Sequence, residues 1–284
     1  MKIIYKLLFL FLLTIGYSSC DFLDIVPDEI TTEADAFKDR NAAKNFVYSC
    51  YGYLPQSNVA SGSLDLLTGD EVITAFEHET FASFPKGNYT ASSPVISYWN
   101  TFFQGLRQCY IFLENVDKVP DLTESVKTDY IAQVKFLIAY YHYQLARCYG
   151  PIILIKELPD VNASQAEYLP RTSYDECVDW ICNLLDEAAS SLPAIRTNKE
   201  DYGLATSVGA KAVKAKMLLY AASPLFNGNS SFYSNFTDKS GSQLMPLTYD
   251  PNKWVKAKTA IKEAIDLAEQ NGHALYVKQD YKIG

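Results

Sequence analysis

The sequence predicts an all-α protein built as an irregular solenoid of paired helices, interrupted by loop-rich excursions that could bind a ligand. Three observations carry this. Apolar residues recur in steps of three and four along four separate stretches, the period of one face of an α-helix. Each stretch is closed by Gly or Pro, which tolerate the left-handed cap or cannot continue the hydrogen-bond ladder. Alanine is frequent on the faces of the last two stretches, so neighbouring backbones can approach closely, as stacked helix pairs require.

The chain opens on an export signal. Lys2 and Lys6 precede Leu7 to Ile15, an apolar run far shorter than the roughly 20 residues needed to span a bilayer. Ser18 and Ser19 stand directly before Cys20, so cleavage there would leave Cys20 as the first residue, able to carry acyl chains. Tyr17 stands three positions before the cysteine, where the common lipoprotein pattern prefers Leu. Residues 1–19 are read as the signal peptide and 20–284 as the mature body.

Weaker helical patterns follow at Ala34 to Tyr53 and Tyr98 to Val116. Residues 55–97 between them are rich in Ser, Gly, Thr, Asn and Pro, and a loop stretch of that length is more often a binding surface than a linker. The strongest helix lies from Asp129 to Tyr149, with Ile131, Val134, Ile138, Tyr141, Leu145 and Cys148 on one face and Gly150-Pro151 as its stop. Pro151 to Leu158 is short and β-branched, hence extended. The next helix is announced by Ser173 and Glu176, a capping box expected to satisfy two free amide donors, and runs through Tyr174, Val178, Ile181, Leu185, Ala188 and Leu192 to Pro193. A third carries Val208, Ala212, Ala215, Leu219 and Ala222 before Pro224. A second excursion, 226–250, leads to a fourth helix that begins at Asp250-Pro251, carries Trp254, Ala257, Ile261, Ala264 and Ala268, and closes at Asn271-Gly272. Helix starts are unevenly spaced, so no strict repeat is present.

Composition removes several function classes. The chain has 25 Lys plus Arg against 33 Asp plus Glu, a net charge of −8 over 284 residues. The lack of a dense basic run disfavours a binder that tracks nucleic-acid phosphates. Loss of residues 1–19 takes two Lys and no acid, so the mature charge is −10. Membrane attachment would then rest on acyl chains rather than on attraction to anionic lipid. The five further cysteines are scattered and form no CxxC; Cys109, Cys148 and Cys177 fall in apolar helical stretches and are expected as small buried side chains. The three His, at 78, 142 and 273, form no zinc motif, and His142 is expected as an interior histidine. No nucleophile elbow, P-loop or dinucleotide fingerprint appears, and no cofactor is implied.

Several segments together resemble the SusD/RagB family of outer-membrane nutrient-binding lipoproteins of Bacteroidetes. They are Cys20 with Asp21-Phe22-Leu23-Asp24; Trp99 with Ile111, Glu114, Asn115 and Val116; Phe136 to Tyr141 with Tyr149-Gly150-Pro151; Arg171-Thr172-Ser173-Tyr174; and Ala210 to Tyr220. Ile138 and Gly203-Leu204-Ala205 depart from the family, whose members usually carry Arg in both places.

The resemblance implies TPR-like helix pairs supporting an irregular ligand-binding part, in a chain about half the usual family length and so expected to be incomplete at its carboxyl end. It implies a non-catalytic role, holding a glycan at the cell surface and delivering it to a SusC-like TonB-dependent transporter. Sugar rings need flat aromatics to stack on and amides or carboxylates for their hydroxyls. Tyr98, Trp99 and Asn100 offer that mixture, and Asp70 and Glu71 match the acidic contact of starch-binding members. A packed core position for Trp99 and a turn or cap role for Asp70 are the alternatives at those residues. The alternative for the whole chain is a structural or protein-recruiting lipoprotein that touches no glycan.

Overall fold

The computed structural model describes residues 33–55, 83–90, 92–95, 97–160, 162 and 169–276. Six long helices stand among them: α1 (Arg40–Tyr51), α2 (Trp99–Asn115), α3 (Glu124–Tyr149), α4 (Tyr174–Ser191), α5 (Ser207–Ala222) and α6 (Asn252–Gln270). Single helical turns occur at Glu33–Ala36 and Ser230–Tyr233. Among the described residues there is no β-strand, only isolated bridges Thr90–Ser93 and Thr237–Gln243. From α2 onward each helix packs on the next, and α1 covers both α2 and α3. That is the nearest-neighbour stacking of a helical solenoid.

α3 is the hub. Its first five residues, Glu124 to Thr128, extend it ahead of the range read from the apolar period, and Val126 among them packs against the core. Burial is also wider than one face: Tyr141 to Ala146 are buried without a break, as are Ala132 to Val134 and Leu137 to Ala139. The single stripe read from the sequence is therefore corrected, because α3 is covered by α1 and α2 on one side and by α4 and α5 on the other. Each fully buried Leu or Ile here, such as Leu137 or Leu145, contributes about 1.5–3 kcal/mol relative to exposure. The buried stretch stops at Ala146, so Cys148 in the last turn is exposed, against expectation. Cys109 and Cys177 are buried as expected, alongside Cys50 and Cys182.

α4 starts differently from the capping box in the sequence. The Ser173 hydroxyl donates to Glu176 Oε2 at 2.8 Å and accepts no backbone amide. The Tyr174 N–H donates instead to the Leu244 carbonyl at 2.9 Å, so the second excursion supplies the acceptor. On α5 the predicted stripe splits. Ala210, Met217 and Ala221 join the main core, while Ala215 meets Ala260 and Ala264 of α6. Ala212 and Leu219 are exposed. A helix held between two partners buries two narrow stripes rather than one broad one. Alanine does form the α5–α6 contact, but Trp254, read as part of that face, is exposed.

Candidate functional site

The site is built where α3 ends and α2 begins. At the end of α3 the chain turns through Gly150, whose φ of 70° is the left-handed region open to glycine, and whose N–H closes on Ala146 O at 2.9 Å. Tyr149, one residue earlier, reaches across to α2. Its hydroxyl accepts the Tyr98 N–H at 2.9 Å. α2 has no side-chain cap, so this tertiary bond satisfies one of the amides that a helix start leaves open.

Trp99 is enclosed on several sides. The Tyr149 ring meets it edge-on, with centroids 5.2 Å apart at 85°, and Phe103 packs beside it at 4.9 Å. The Arg171 guanidinium lies 5.3 Å from the ring centroid, within cation–π range. Arg171 Nη1 is held there by the carbonyls of Tyr149, at 3.2 Å, and Pro151, at 2.8 Å. A cation beside the last carbonyls of α3 also complements the negative end of that helix. Tyr98 stacks on Phe102 at 5.1 Å and 19°, and burial is the leading cause that raises its hydroxyl pKa.

The structure thus brings Tyr98, Trp99 and Asn100 to one corner. Both rings are half-buried and pack against the core; Asn100 is exposed and carries an amide donor and an acceptor. Trp99 is therefore a packed residue with one face shared by Arg171, and what the ring offers a ligand is the surface its neighbours leave open. Asp70, Glu71 and Cys20 lie outside the described residues. Reading the residues one by one missed Arg171 and Tyr149 as members of this corner. Both stand inside segments that carry the family resemblance, and nothing in their spacing says that those segments meet.

His142 is interior, as expected: it is fully buried and bonded through both ring nitrogens. Among the described residues no group of three or more His, Cys, Asp or Glu could hold a metal ion, and no helix is long and apolar enough to cross a membrane.

A SusD-like family model described as "Starch-binding associating with outer membrane" matches residues 21–219. A SusD-like protein, P25, of Formosa agariphila is 23% identical over 230 residues, which is 76% of this chain and 43% of that protein. The solved structure of BT4246 superposes with a TM-score of 0.75 at 36% identity, covering 83% of this chain and 41% of that one. A solved laminarin-binding SusD-like protein shares the fold, with a TM-score of 0.55 at 22% identity over 66% of this chain and 41% of that one. The chain thus spans less than half the length of each. The helical stack, the match across residues 21–219 and these structural likenesses agree: the chain belongs to the SusD-like family of outer-membrane-associated proteins.

Proposed function

We propose that this chain holds a glycan at the cell surface, without altering it, and passes it to a SusC-like TonB-dependent transporter. The observation that carries the reading is the Tyr98–Trp99–Asn100 corner, aromatic rings beside an exposed amide, in the frame of a family described as starch-binding. Stacking rings and an amide grip the apolar face and the hydroxyls of a sugar but do not activate water, which suits a binding protein rather than an enzyme. Asp70 and Glu71 are proposed as the acidic contacts from the preceding loop. Acyl chains on Cys20, once residues 1–19 are removed, would anchor the protein to the outer membrane. A relative that is named for laminarin binding supports a polysaccharide as the ligand class.

One observation favours the protein-recruiting alternative. Leu219, Trp254, Val255 and Ile265 on α5 and α6 are exposed, and such apolar surface suits a protein partner. Isothermal titration of the full-length mature protein against neutral and acidic polysaccharides separates the two: binding to at least one is expected, and binding to none supports recruitment. Cys20→Ser is expected to release the protein from membranes when the transporter is absent; retention would remove the acyl anchor.

A further inference from the structure

We infer that a cleft remote in sequence from the Trp99 corner is a second ligand site, taking the anionic substituent of an acidic sugar. It lies between α1, α3 and the loop joining α4 to α5, and has a volume of about 320 Å³. That is the lower end of the range for small-ligand sites.

One wall is set by spacing. Arg40, Lys44 and Tyr48 stand four residues apart on α1 and share one face of it. Tyr130 and Ser125 of α3 face them, and Asn198 and Asp201 come from the loop. The inner end is rigid. Arg196 places Nη1 and Nη2 on the two oxygens of Asp129 at 2.9 and 2.8 Å. Its Nε and Nη2 also donate to Ala205 O at 3.2 and 2.9 Å, and Gln133 Nε2 donates to Asp129 Oδ2 at 2.7 Å. Arg196 and Asp129 therefore neutralise one another and shape the floor.

The remaining charges of the lining are two cations, Arg40 and Lys44, and one anion, Asp201. Asp121 accepts the Arg40 backbone N–H at 2.7 Å, which brings a second carboxylate near Arg40. Within the lining cations exceed anions by one, Arg40, Lys44 and Arg196 against Asp129 and Asp201, in a chain whose net charge of −8 repels polyanions as a whole. The Lys44 ammonium stands 5.5 Å from the centroid of the exposed Tyr48 ring. Cations beside tyrosine rings supply what an acidic sugar needs: charge-assisted bonds to a carboxylate or sulfate and a flat surface for the ring that bears it. A neutral sugar can take hydrogen bonds from the two cations but gains no charge–charge attraction from them.

The inference deepens the glycan reading and rests on it, and its test uses other residues. The full-length mature protein is titrated with trigalacturonate, a sulfated carrageenan tetrasaccharide and neutral maltotetraose, at low and raised salt. Binding of at least one acidic oligosaccharide is expected, weakened by raised salt and by about tenfold or more in the Arg40→Gln/Lys44→Gln double variant. The tighter acidic ligand names the substituent. Lys44→Gln alone repeats the measurement should the double variant unfold, since Arg40 also contacts Tyr130. Acidic oligosaccharides that do not bind, or that bind the variants as well as the parent, overturn the inference. Retention of maltotetraose binding in that case leaves the Trp99 reading standing.

Discussion

His142 accepts the backbone N–H of Ile155 through Nε2 at 3.1 Å, joining the middle of α3 to the extended segment that follows it. A backbone amide can only donate, so Nδ1 carries the proton and donates to Ile138 O at 2.8 Å. The ring is neutral, wholly buried and edge-on to Trp180 at 4.8 Å. Burial lowers its pKa from 6.5 to about 4, against a smaller opposing effect of the Ile138 bond. The unfolded chain therefore takes up a proton that the folded chain refuses. The stabilisation is complete above pH 6.5 and is lost as pH falls towards about 4. At most it amounts to about 3 kcal/mol. Urea unfolding of the parent and of His142→Gln across this window tests it: the parent should lose stability more steeply, and parallel curves would place the pH dependence elsewhere.

Trp99 and Arg171 separate binding from folding. Trp99→Ala is expected to weaken glycan affinity by about 1–3 kcal/mol if the open part of the ring is a platform. Arg171→Met keeps bulk beside the indole but strips donors from the Tyr149 and Pro151 carbonyls, and should cost about 1–2 kcal/mol of stability. Calorimetric titration and thermal unfolding of both variants read these effects apart. A lower melting temperature for Trp99→Ala with undiminished affinity would make the residue structural alone.

Gly228 is fixed by a close approach. Its φ is +77°, and a Cβ there would stand 2.3 Å from Tyr249 N and 2.6 Å from Thr248 C, both backbone atoms that cannot swing aside. The contact is clamped next door, where Asn227 Nδ2 donates to Asp250 O and Oδ1 accepts the Asp250 N–H, each at 2.9 Å. Gly228→Ala should destabilise by about 2–4 kcal/mol. A urea midpoint equal to that of the parent would refute the clamp.

The Asp129–Arg196 pair has side-chain exposures of 25% and 12%, so removing one partner strands a poorly hydrated charge. Asp129→Asn should cost about 2–4 kcal/mol. Because the penalty is that of an unpaired charge, Asp129→Leu combined with Arg196→Met should recover part of it. Chemical unfolding of the single and double variants would show this, and strictly additive losses would contradict it.

The helices themselves were legible because their signals are local. α2 and α4 stand within a residue or two of the ranges read from apolar period, Pro and Gly. Faces were less legible, since the number of neighbours decides how much of a helix is buried. α3, enclosed on both sides, hides residues all round, and α5 divides its alanines between two partners. The start of α4 repeats the point: a local serine and glutamate suggest a cap, yet a carbonyl seventy residues downstream, Leu244, receives the amide.

Sequence alone determined the all-α class, the order of the helices and the candidate trio Tyr98, Trp99 and Asn100, because dihedral preference, periodicity and side-chain chemistry belong to short stretches of chain. Only the tertiary structure decided that Tyr149 and Arg171 frame Trp99, and that Arg40, Asp129 and Arg196 border one cleft. Those partners are far apart along the chain, and what unites them is the burial of helix faces against one another, a property of the whole stack and not of any one segment.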